Sequence, residues 1–146
     1  MKTKVAIISV IIFILITWST NLSAQENIFG SSIYPEKIND ANAIYLTKES
    51  FNIHGDGIED DAPAIQAAID LVLKTSQNGI VFVPEGTYRL GKTIYLWRGI
   101  RLIGYGKNRP VFKLGKNTPG FQEGERKYML HFAHSPNTGN NVQPET

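Results

Sequence analysis

An amphipathic segment followed by a series of very short apolar segments constrains the fold of this 146-residue chain more than any other feature. In residues 60–76, Ile65, Ala68, Ile69 and Val72 recur at the spacing that places side chains on one face of an α-helix. The segment is long enough for several helical turns. The sequence therefore predicts one helix with an apolar face to bury.

Both ends of this helix carry residues that favour helix termini. Asp60 or Asp61 can accept a backbone N–H at its start, and Pro63 is tolerated in the first turn, where no donor is needed. At the other end, Asn78-Gly79 predicts a left-handed stop.

Five short apolar segments follow the helix, and turn residues bound each of them. They are residues 80–83, 88–90, 93–96, 100–103 and 111–114. A β-sandwich would use longer strands joined by hairpins, whereas a parallel β-helix winds short strands into stacked coils. Because no Asn-Gly or Asp-Gly hairpin joins the segments, the coiled arrangement is favoured. The predicted fold class is mainly β, with one helix ahead of the strands.

The first 24 residues have the layout of a secretory signal peptide. Lys2 and Lys4 precede an apolar run over residues 5–16, and Ala24 ends a short polar stretch. This run is shorter than the roughly 18–20 residues that span a bilayer. We expect a secreted or periplasmic protein with no stable membrane span after cleavage; the alternative is an uncleaved membrane anchor.

The composition excludes several classes of function. The chain has no cysteine, which excludes a disulfide-stapled fold, thiolate zinc sites and a cysteine nucleophile. Once Lys2 and Lys4 are removed, basic and acidic residues are equal in number. A near-neutral chain argues against nucleic acid or an anionic membrane as a partner.

Three blocks of the sequence resemble a known family. FNIHGDGIEDD at residues 51–61 leads into AIQAAI, followed by GIVFVPEGTY at residues 79–88 and IRLIGYG at residues 100–106. In this order they resemble the start of the pectate lyase superfamily domain of rhamnogalacturonase-, polygalacturonase- and exo-β-1,3-glucanase-like proteins. The resemblance covers about residues 45–115. It implies the start of a right-handed single-stranded parallel β-helix, with an N-terminal capping α-helix, that acts on extracellular polysaccharide.

Several residues of these blocks have predicted structural roles: Gly55, Asp56, Gly57, Asp60, Asp61, Pro84 and Gly86. The first two glycines permit backbone angles that other residues avoid, and the paired aspartates place negative charge at the positive end of the helix. Tyr88 can fold its ring over the turn at residues 84–86. The helix can then lie across the open end of the first coil as a lid.

The acidic cluster has two alternative interpretations. Asp56, Glu59, Asp60 and Asp61 could bind calcium through oxygen ligands, or two of them could form an acid–base pair for glycoside hydrolysis. Nothing in the spacing identifies either site, so we expect a structural role. No metal, cofactor or catalytic residue is predicted.

Residues 86–121 contain eight basic residues and no acidic one. The basic residues are Arg89, Lys92, Arg98, Arg101, Lys107, Arg109, Lys113 and Lys116, with Tyr88, Tyr95, Trp97 and Tyr105 between them. They could form a groove for a polysaccharide, either an acidic plant cell-wall glycan or a β-glucan, because guanidinium groups bind carboxylates. The predicted substrate-binding residues are Arg98, Arg101, Trp97 and Tyr105. The alternative is a set of outward-facing positions that keep the strands soluble.

Two further patterns predict no site. Gly104-Tyr105-Gly106-Lys107 lacks the first glycine and the following Ser or Thr of a phosphate-binding loop. His131 and His134 would share a face on a helix, but residues 128–133 favour a strand, where positions three apart point to opposite faces. No Ser-His-Asp triad can be assembled.

The predicted organisation is a signal peptide at residues 1–24, a lead-in at 25–50 with a short strand at 44–46, the cap and first coils at 51–134, and a flexible tail at 135–146. The resembling proteins run for several hundred residues, with their acidic catalytic residues on later coils. We therefore expect an N-terminal fragment of a secreted polysaccharide-degrading enzyme, a glycoside hydrolase or a polysaccharide lyase, that is inactive alone. The alternatives are a non-catalytic carbohydrate-binding or surface-adhesion module and a degenerate product without function.

Overall fold

The computed structural model describes residues 30–122, 127–134 and 136. The predicted signal peptide at residues 1–24 lies outside the described residues, as does all of the predicted tail except residue 136. Within the described part the fold is mainly β, with eight strands and two helices. None of the helices found there has the length and apolar character needed to cross a membrane.

The elements follow one another along the chain as strands interrupted by two helices. They are β1 (Ile44–Tyr45), α1 (Lys48–Phe51), β2 (Asp56–Asp60), α2 (Ala62–Ser76), β3 (Gly79–Pro84), β4 (Thr87–Leu90), β5 (Ile94–Trp97), β6 (Ile100–Tyr105), β7 (Val111–Leu114) and β8 (Leu130–Ala133). The five strands predicted after the helix are confirmed, and so are the short strand near residue 44 and a strand near residue 130. Helix α1 and strand β2 have no counterpart in the sequence analysis.

The named strands pair only in parallel and fall into three sheets, with orders β1-β3-β6, β2-β4-β7 and β5-β8. Strands β3, β4 and β5 each pair with the strand three places later in the chain. After β5 the chain therefore returns to the same three sheets in the same order. This parallel pairing of the named strands excludes the antiparallel sandwich that was the alternative to the coiled arrangement.

The core lies where the inner faces of these strands meet helix α2. Ile65, Ala68, Ile69 and Val72 are all buried and belong to one cluster with alternate residues of β3, β4 and β5. The helix contacts strands of all three sheets. The predicted apolar stripe is thus confirmed.

The start of helix α2 confirms one of the two predicted alternatives, the one in which Asp60 accepts the backbone N–H. Asp61 occupies the N-cap position, but its carboxylate accepts no capping hydrogen bond. Asp60 Oδ1 instead accepts the Ala62 N–H at 3.1 Å, and Pro63 lies in the first turn as expected. The Asp61 side chain is directed to another segment, as described below.

The end of helix α2 corrects the prediction. Gln77 adopts the left-handed conformation with φ 61°, and its N–H bonds to helix carbonyls. The stop predicted at Asn78-Gly79 is therefore wrong. Gly79 already belongs to β3, and its N–H donates to the Gly99 carbonyl at 3.1 Å. The left-handed residue that ends the helix must therefore precede Gly79.

The lead-in packs against the outer face of the β1-β3-β6 sheet. Phe82 lies on the opposite face of β3 from the core valines, yet it is 1% exposed. Its ring stacks on Tyr45 with 5.1 Å between centroids and meets the Tyr105 ring edge-on at 6.2 Å. The Tyr34 carbonyl accepts the Gly106 N–H at 2.9 Å, which fixes the lead-in against the end of β6.

Strand β5 pairs with β8 on one side and meets helix α2 on the other. Gln66 Oε1 accepts the Tyr95 N–H at 2.8 Å, and Gln66 Nε2 donates to the Tyr95 carbonyl at 3.1 Å. The side-chain amide thereby supplies the two hydrogen bonds that a neighbouring strand would make. The edge of β5 is satisfied at this residue without another strand.

Replacing Gln66 with Leu should destabilise the protein by about 1–3 kcal/mol, because the Tyr95 N–H and carbonyl then lose their partners. The measurement is the free energy of unfolding in urea, followed by circular dichroism. Gln122→Leu, the same change at an exposed position, is the control. Equal stability of the two variants would contradict this role of Gln66.

Candidate functional site

Four rings form a strip on the outer face of the β5-β8 sheet: Trp97, Tyr95, His131 and Tyr128. Ile94 and Leu96 are buried, so the alternating Tyr95 and Trp97 point away from the core. Tyr95 is in register with His131 on β8, which places their side chains next to each other. We call these four residues the aromatic strip.

The rings of the aromatic strip make an offset stack. Trp97 and Tyr95 are nearly parallel, at 9° with centroids 5.6 Å apart, and Tyr95 and His131 lie at 30° and 5.4 Å. Parallel rings in contact are about 3.5–4 Å apart, so a 5.6 Å centroid separation requires a sideways displacement that leaves part of each face uncovered. Tyr128 meets His131 edge-on at 6.1 Å and is 54% exposed.

Helix α2 anchors one end of the aromatic strip. The Trp97 Nε1–H donates to Asp70 Oδ1 at 2.7 Å, and the same oxygen accepts from Gln66 Nε2 at 2.9 Å. At the other end, Thr93 Oγ1 donates to the Tyr128 carbonyl at 2.8 Å. The rings are therefore held in place by both a helix and the sheet.

Charged side chains flank the aromatic strip. Arg98 directly follows Trp97, is exposed, and donates its N–H to the Ala133 carbonyl at 3.0 Å. Lys92 is exposed just before β5, and the exposed Asp70 borders the indole ring. Such a surface offers aromatic faces, hydroxyl groups and both signs of charge to an extended ligand with apolar faces and polar edges.

The predicted binding residues fall on two sheets. Trp97 belongs to the aromatic strip and Arg98 borders it, whereas Arg101 and Tyr105 lie on β6. Tyr105 packs with the buried Phe82, and burial raises its pKa. The structure does not place these residues in one groove. The rings of His131 on β8 and of Tyr128 just before it were not predicted to belong to a site.

Other members of the basic and aromatic set have structural positions. Arg89 and Lys113 are in register on β4 and β7 and alternate with inward-facing residues, as the outward-facing alternative predicts. Tyr88 is 1% exposed, so it cannot line a groove. Its hydroxyl donates to the Pro84 carbonyl at 2.7 Å, which confirms the predicted packing over this turn.

Asp61 is fully buried and binds the segment before β2. Its carboxylate accepts the His54 N–H at 2.8 Å and the Gly55 N–H at 3.0 Å, and His54 Nδ1 lies 3.3 Å away. Gly55 has φ 65° and Gly57 has φ 75°, which confirms the predicted left-handed backbone at both glycines. Asp61 therefore fixes the turn that leads into β2 and α2.

Two other acidic side chains of this cluster, Asp56 and Asp60, also bind backbone N–H groups. Asp56 Oδ1 accepts from Ile58 and Glu59, and these hydrogen bonds hold the pKa of Asp56 below its usual range. Asp60 Oδ1 accepts the Gly91 N–H at 2.8 Å. Among the residues that the structure describes, no group of three or more His, Asp or Glu side chains is suited to hold a metal ion.

Comparison with known proteins identifies a family and several relatives. Residues 48–142 match the family described as rhamnogalacturonase A/epimerase, pectate lyase-like. Mannuronan C5-epimerase AlgE3 of Azotobacter vinelandii is 40% identical over an alignment of 73 residues, which covers 45% of this chain and 4% of the relative. Glucan 1,3-beta-glucosidase of Cochliobolus carbonum is 31% identical over 80 residues, covering 55% and 10%.

A further relative is named for binding. Plasmin and fibronectin-binding protein A of Streptococcus pneumoniae is 34% identical over 76 residues, covering 52% of this chain and 10% of the relative. The chain thus matches only 4–10% of the length of these three relatives.

Asp61→Asn should lower the free energy of unfolding by about 1–3 kcal/mol, because the amide at this buried position has one acceptor oxygen for two backbone donors. Urea unfolding at pH 7 measures the change. Glu59→Gln makes the same replacement at an exposed residue and should have little effect. A stability loss no larger than that of this control would rule out the assigned role of Asp61.

Stability at alkaline pH should depend on Tyr88. Burial, and secondarily the Asp61 carboxylate, raises the pKa of Tyr88 well above the ordinary value of 10.0. Tyr88 therefore loses its proton at lower pH in the unfolded chain than in the folded protein. Its contribution to the free energy of unfolding is complete below about pH 10 and is lost as pH rises toward the folded pKa. Between pH 10 and 12, wild type should lose stability with an added slope of up to about 1.4 kcal/mol per pH unit.

Tyr88→Phe should remove this added slope and cost about 1 kcal/mol at pH 7 through the lost bond to the Pro84 carbonyl. The measurement is urea unfolding at a series of pH values. Tyr34→Phe, at an exposed tyrosine, should keep the wild-type slope. If Tyr88→Phe keeps it too, the ionisation of Tyr88 is not linked to unfolding.

Proposed function

The chain belongs to the rhamnogalacturonase A/epimerase, pectate lyase-like family, and we propose that it acts on a polysaccharide as part of a polysaccharide-modifying protein. Two relatives are named for modifying polysaccharides, one as a mannuronan epimerase and one as a glucan glucosidase. The proposed reaction of the whole protein is the modification of a polysaccharide. No catalytic residue is assigned to this chain, and its own proposed part is to bind glycan.

The proposed architecture is the start of a right-handed single-stranded parallel β-helix capped by α2. The return of the chain to the same three sheets, with parallel pairing each time, supports the coiled arrangement. The buried stripe of α2, in contact with all three sheets, supports a capping role, since a solenoid needs its first coil covered.

The aromatic strip is the observation that carries the proposal of glycan binding. Sugar rings present C–H faces that pack on partly uncovered aromatic faces, and their hydroxyl groups need polar partners nearby. The offset stack supplies such faces, while the Tyr128 hydroxyl, Asp70 and Arg98 supply polar groups at its borders. Arg101 and Tyr105, on β6, stay predictions for the same ligand.

The proposed site of action is outside the cytoplasm. The charged start at Lys2 and Lys4, the short apolar run and the small residue at Ala24 support export by a signal peptide. Polysaccharide ligands of the kinds named for the relatives are compatible with that compartment.

A second candidate is a non-catalytic surface-adhesion module. The relative named for binding plasmin and fibronectin favours it, because that protein is named for binding and not for a reaction. The two candidates differ in the ligand that this chain binds. Saturable binding of mannuronan or 1,3-β-glucan would favour the polysaccharide-modifying protein, and binding of plasmin or fibronectin without glycan binding would favour the adhesion module.

Trp97→Ala should weaken binding of mannuronan or 1,3-β-glucan by about three- to tenfold, the range expected for losing one aromatic contact. Tyr128→Ala at the far end of the aromatic strip should act in the same direction. Titration calorimetry with each polysaccharide measures the affinity. Tyr34→Ala, which removes an exposed ring from the lead-in, should bind as wild type.

If neither polysaccharide binds, or if the Trp97 and Tyr128 variants bind as tightly as the Tyr34 variant, the aromatic strip is not a glycan surface.

A further inference from the structure

Asp70 on helix α2 makes two hydrogen bonds that the proposed function does not use. We propose that Asp70 is a positioning residue of the aromatic strip, which holds the Trp97 ring parallel to Tyr95 and so sets the surface that a glycan meets. This inference rests on the proposed function of the strip. Its basis is one carboxylate oxygen that accepts two hydrogen bonds, one from the Trp97 indole and one from the Gln66 amide, which in turn binds the Tyr95 backbone.

The first hydrogen bond fixes a ring. An indole has one donor, Nε1–H, and in Trp97 this donor is 2.7 Å from Asp70 Oδ1. The torsion that turns an indole ring about its stem is broad, so packing alone restricts it weakly on a half-exposed outer face. The bond to Asp70 selects the orientation in which the indole lies at 9° to the Tyr95 ring.

The second hydrogen bond fixes a side-chain amide. Gln66 lies one turn before Asp70 on the same face of α2, and its Nε2 donates to Asp70 Oδ1 at 2.9 Å. A carboxylate only accepts, so it requires the NH₂ end of the amide to point toward it. Gln66 Oε1 is then left to accept the Tyr95 N–H, which holds the backbone that carries the second ring.

Asp70 is thereby connected to both members of the Trp97–Tyr95 pair, one through its ring and one through its backbone. Because Asp70 lies at the border of the strip, its negative charge could also act directly on the ligand. A direct charge effect is therefore a second explanation for any loss of binding in an Asp70 variant. Asn at this position separates the two, because its Oδ1 can accept the same hydrogen bonds without the charge.

The experiment uses the full chain with Trp18→Phe, which leaves Trp97 as the sole tryptophan of the two in the sequence. Near-ultraviolet circular dichroism reports the fixed geometry of Trp97 against Tyr95. Titration with mannuronan and with 1,3-β-glucan reports affinity. Asp70→Ala should lose the tryptophan band and weaken binding of whichever polysaccharide binds by about three- to tenfold.

Asp70→Asn should keep the band and bind within about twofold of the parent, since one hydrogen-bond acceptor replaces another of the same shape. Lys74→Ala, an exposed change one turn further along α2, is the matched control and should alter neither readout. Trp97→Phe removes the donor and keeps an aromatic ring, so it should weaken binding as Asp70→Ala does without any change in the helix.

The outcomes separate this inference from the proposed function. If Trp97→Ala weakens binding while Asp70→Ala changes neither the band nor the affinity, Asp70 does not position the strip and the inference is overturned. An Asn variant that binds as poorly as the Ala variant would also overturn it, in favour of charge. If Trp97→Ala binds as wild type, the proposed function fails, and an unchanged band in Asp70→Ala would then reject the positioning role independently.

Discussion

The main constraint on this fold is that one edge of strand β5 faces a helix, which leaves backbone groups of that edge without a partner strand. The side-chain amide of Gln66 supplies the missing hydrogen bonds at Tyr95. This strand has β8 on one side and a helix on the other, and a helix backbone cannot pair with a strand. Unpaired backbone groups at such an edge would be costly if buried and would invite association if exposed. Gln66 satisfies both polar groups of Tyr95, so α2 can lie where a strand would otherwise be required.

Helix α2 contacts the core with one set of residues and the outward-facing residues of β5 with another. The apolar stripe buries itself against the inner faces of the strands, while Gln66 and Asp70 reach the backbone and ring of the outward-facing residues of β5. The helix thus supports the aromatic strip as well as covering the core. A surface held in this way loses less conformational freedom when it binds a ligand, which is a general advantage of preorganised sites.

Much of the fold could be predicted from local patterns, because apolar spacing reports which face of an element is buried. The α2 stripe and the five following strands were found in this way. Strand β2 was missed because its sequence, DGIED, is almost entirely exposed and shows no apolar alternation. Of the two aspartates predicted as alternatives to cap α2, Asp60 accepts the helix N–H. The buried Asp61 carboxylate binds His54 and Gly55 instead, a choice set by the turn before β2 and not by helix propensity.

The candidate site was predictable only in part, for a geometric reason. Tyr95 and Trp97 stand out as an alternating aromatic pair, but His131 joins them only through the register of β5 with β8, which no local pattern specifies. Conversely, Tyr105 is close to Trp97 in sequence and lies on a different sheet. Turns between short strands redirect the chain, so proximity in sequence does not imply a shared surface in this fold.

Native-state hydrogen exchange at the Tyr95 amide, measured by NMR, tests the central claim that α2 replaces a strand beside β5. The account predicts that this amide exchanges as slowly as core amides such as that of Val81, because Gln66 holds it until the helix and sheet separate. Exchange of Tyr95 as fast as an exposed backbone amide, with Val81 still protected, would contradict the account.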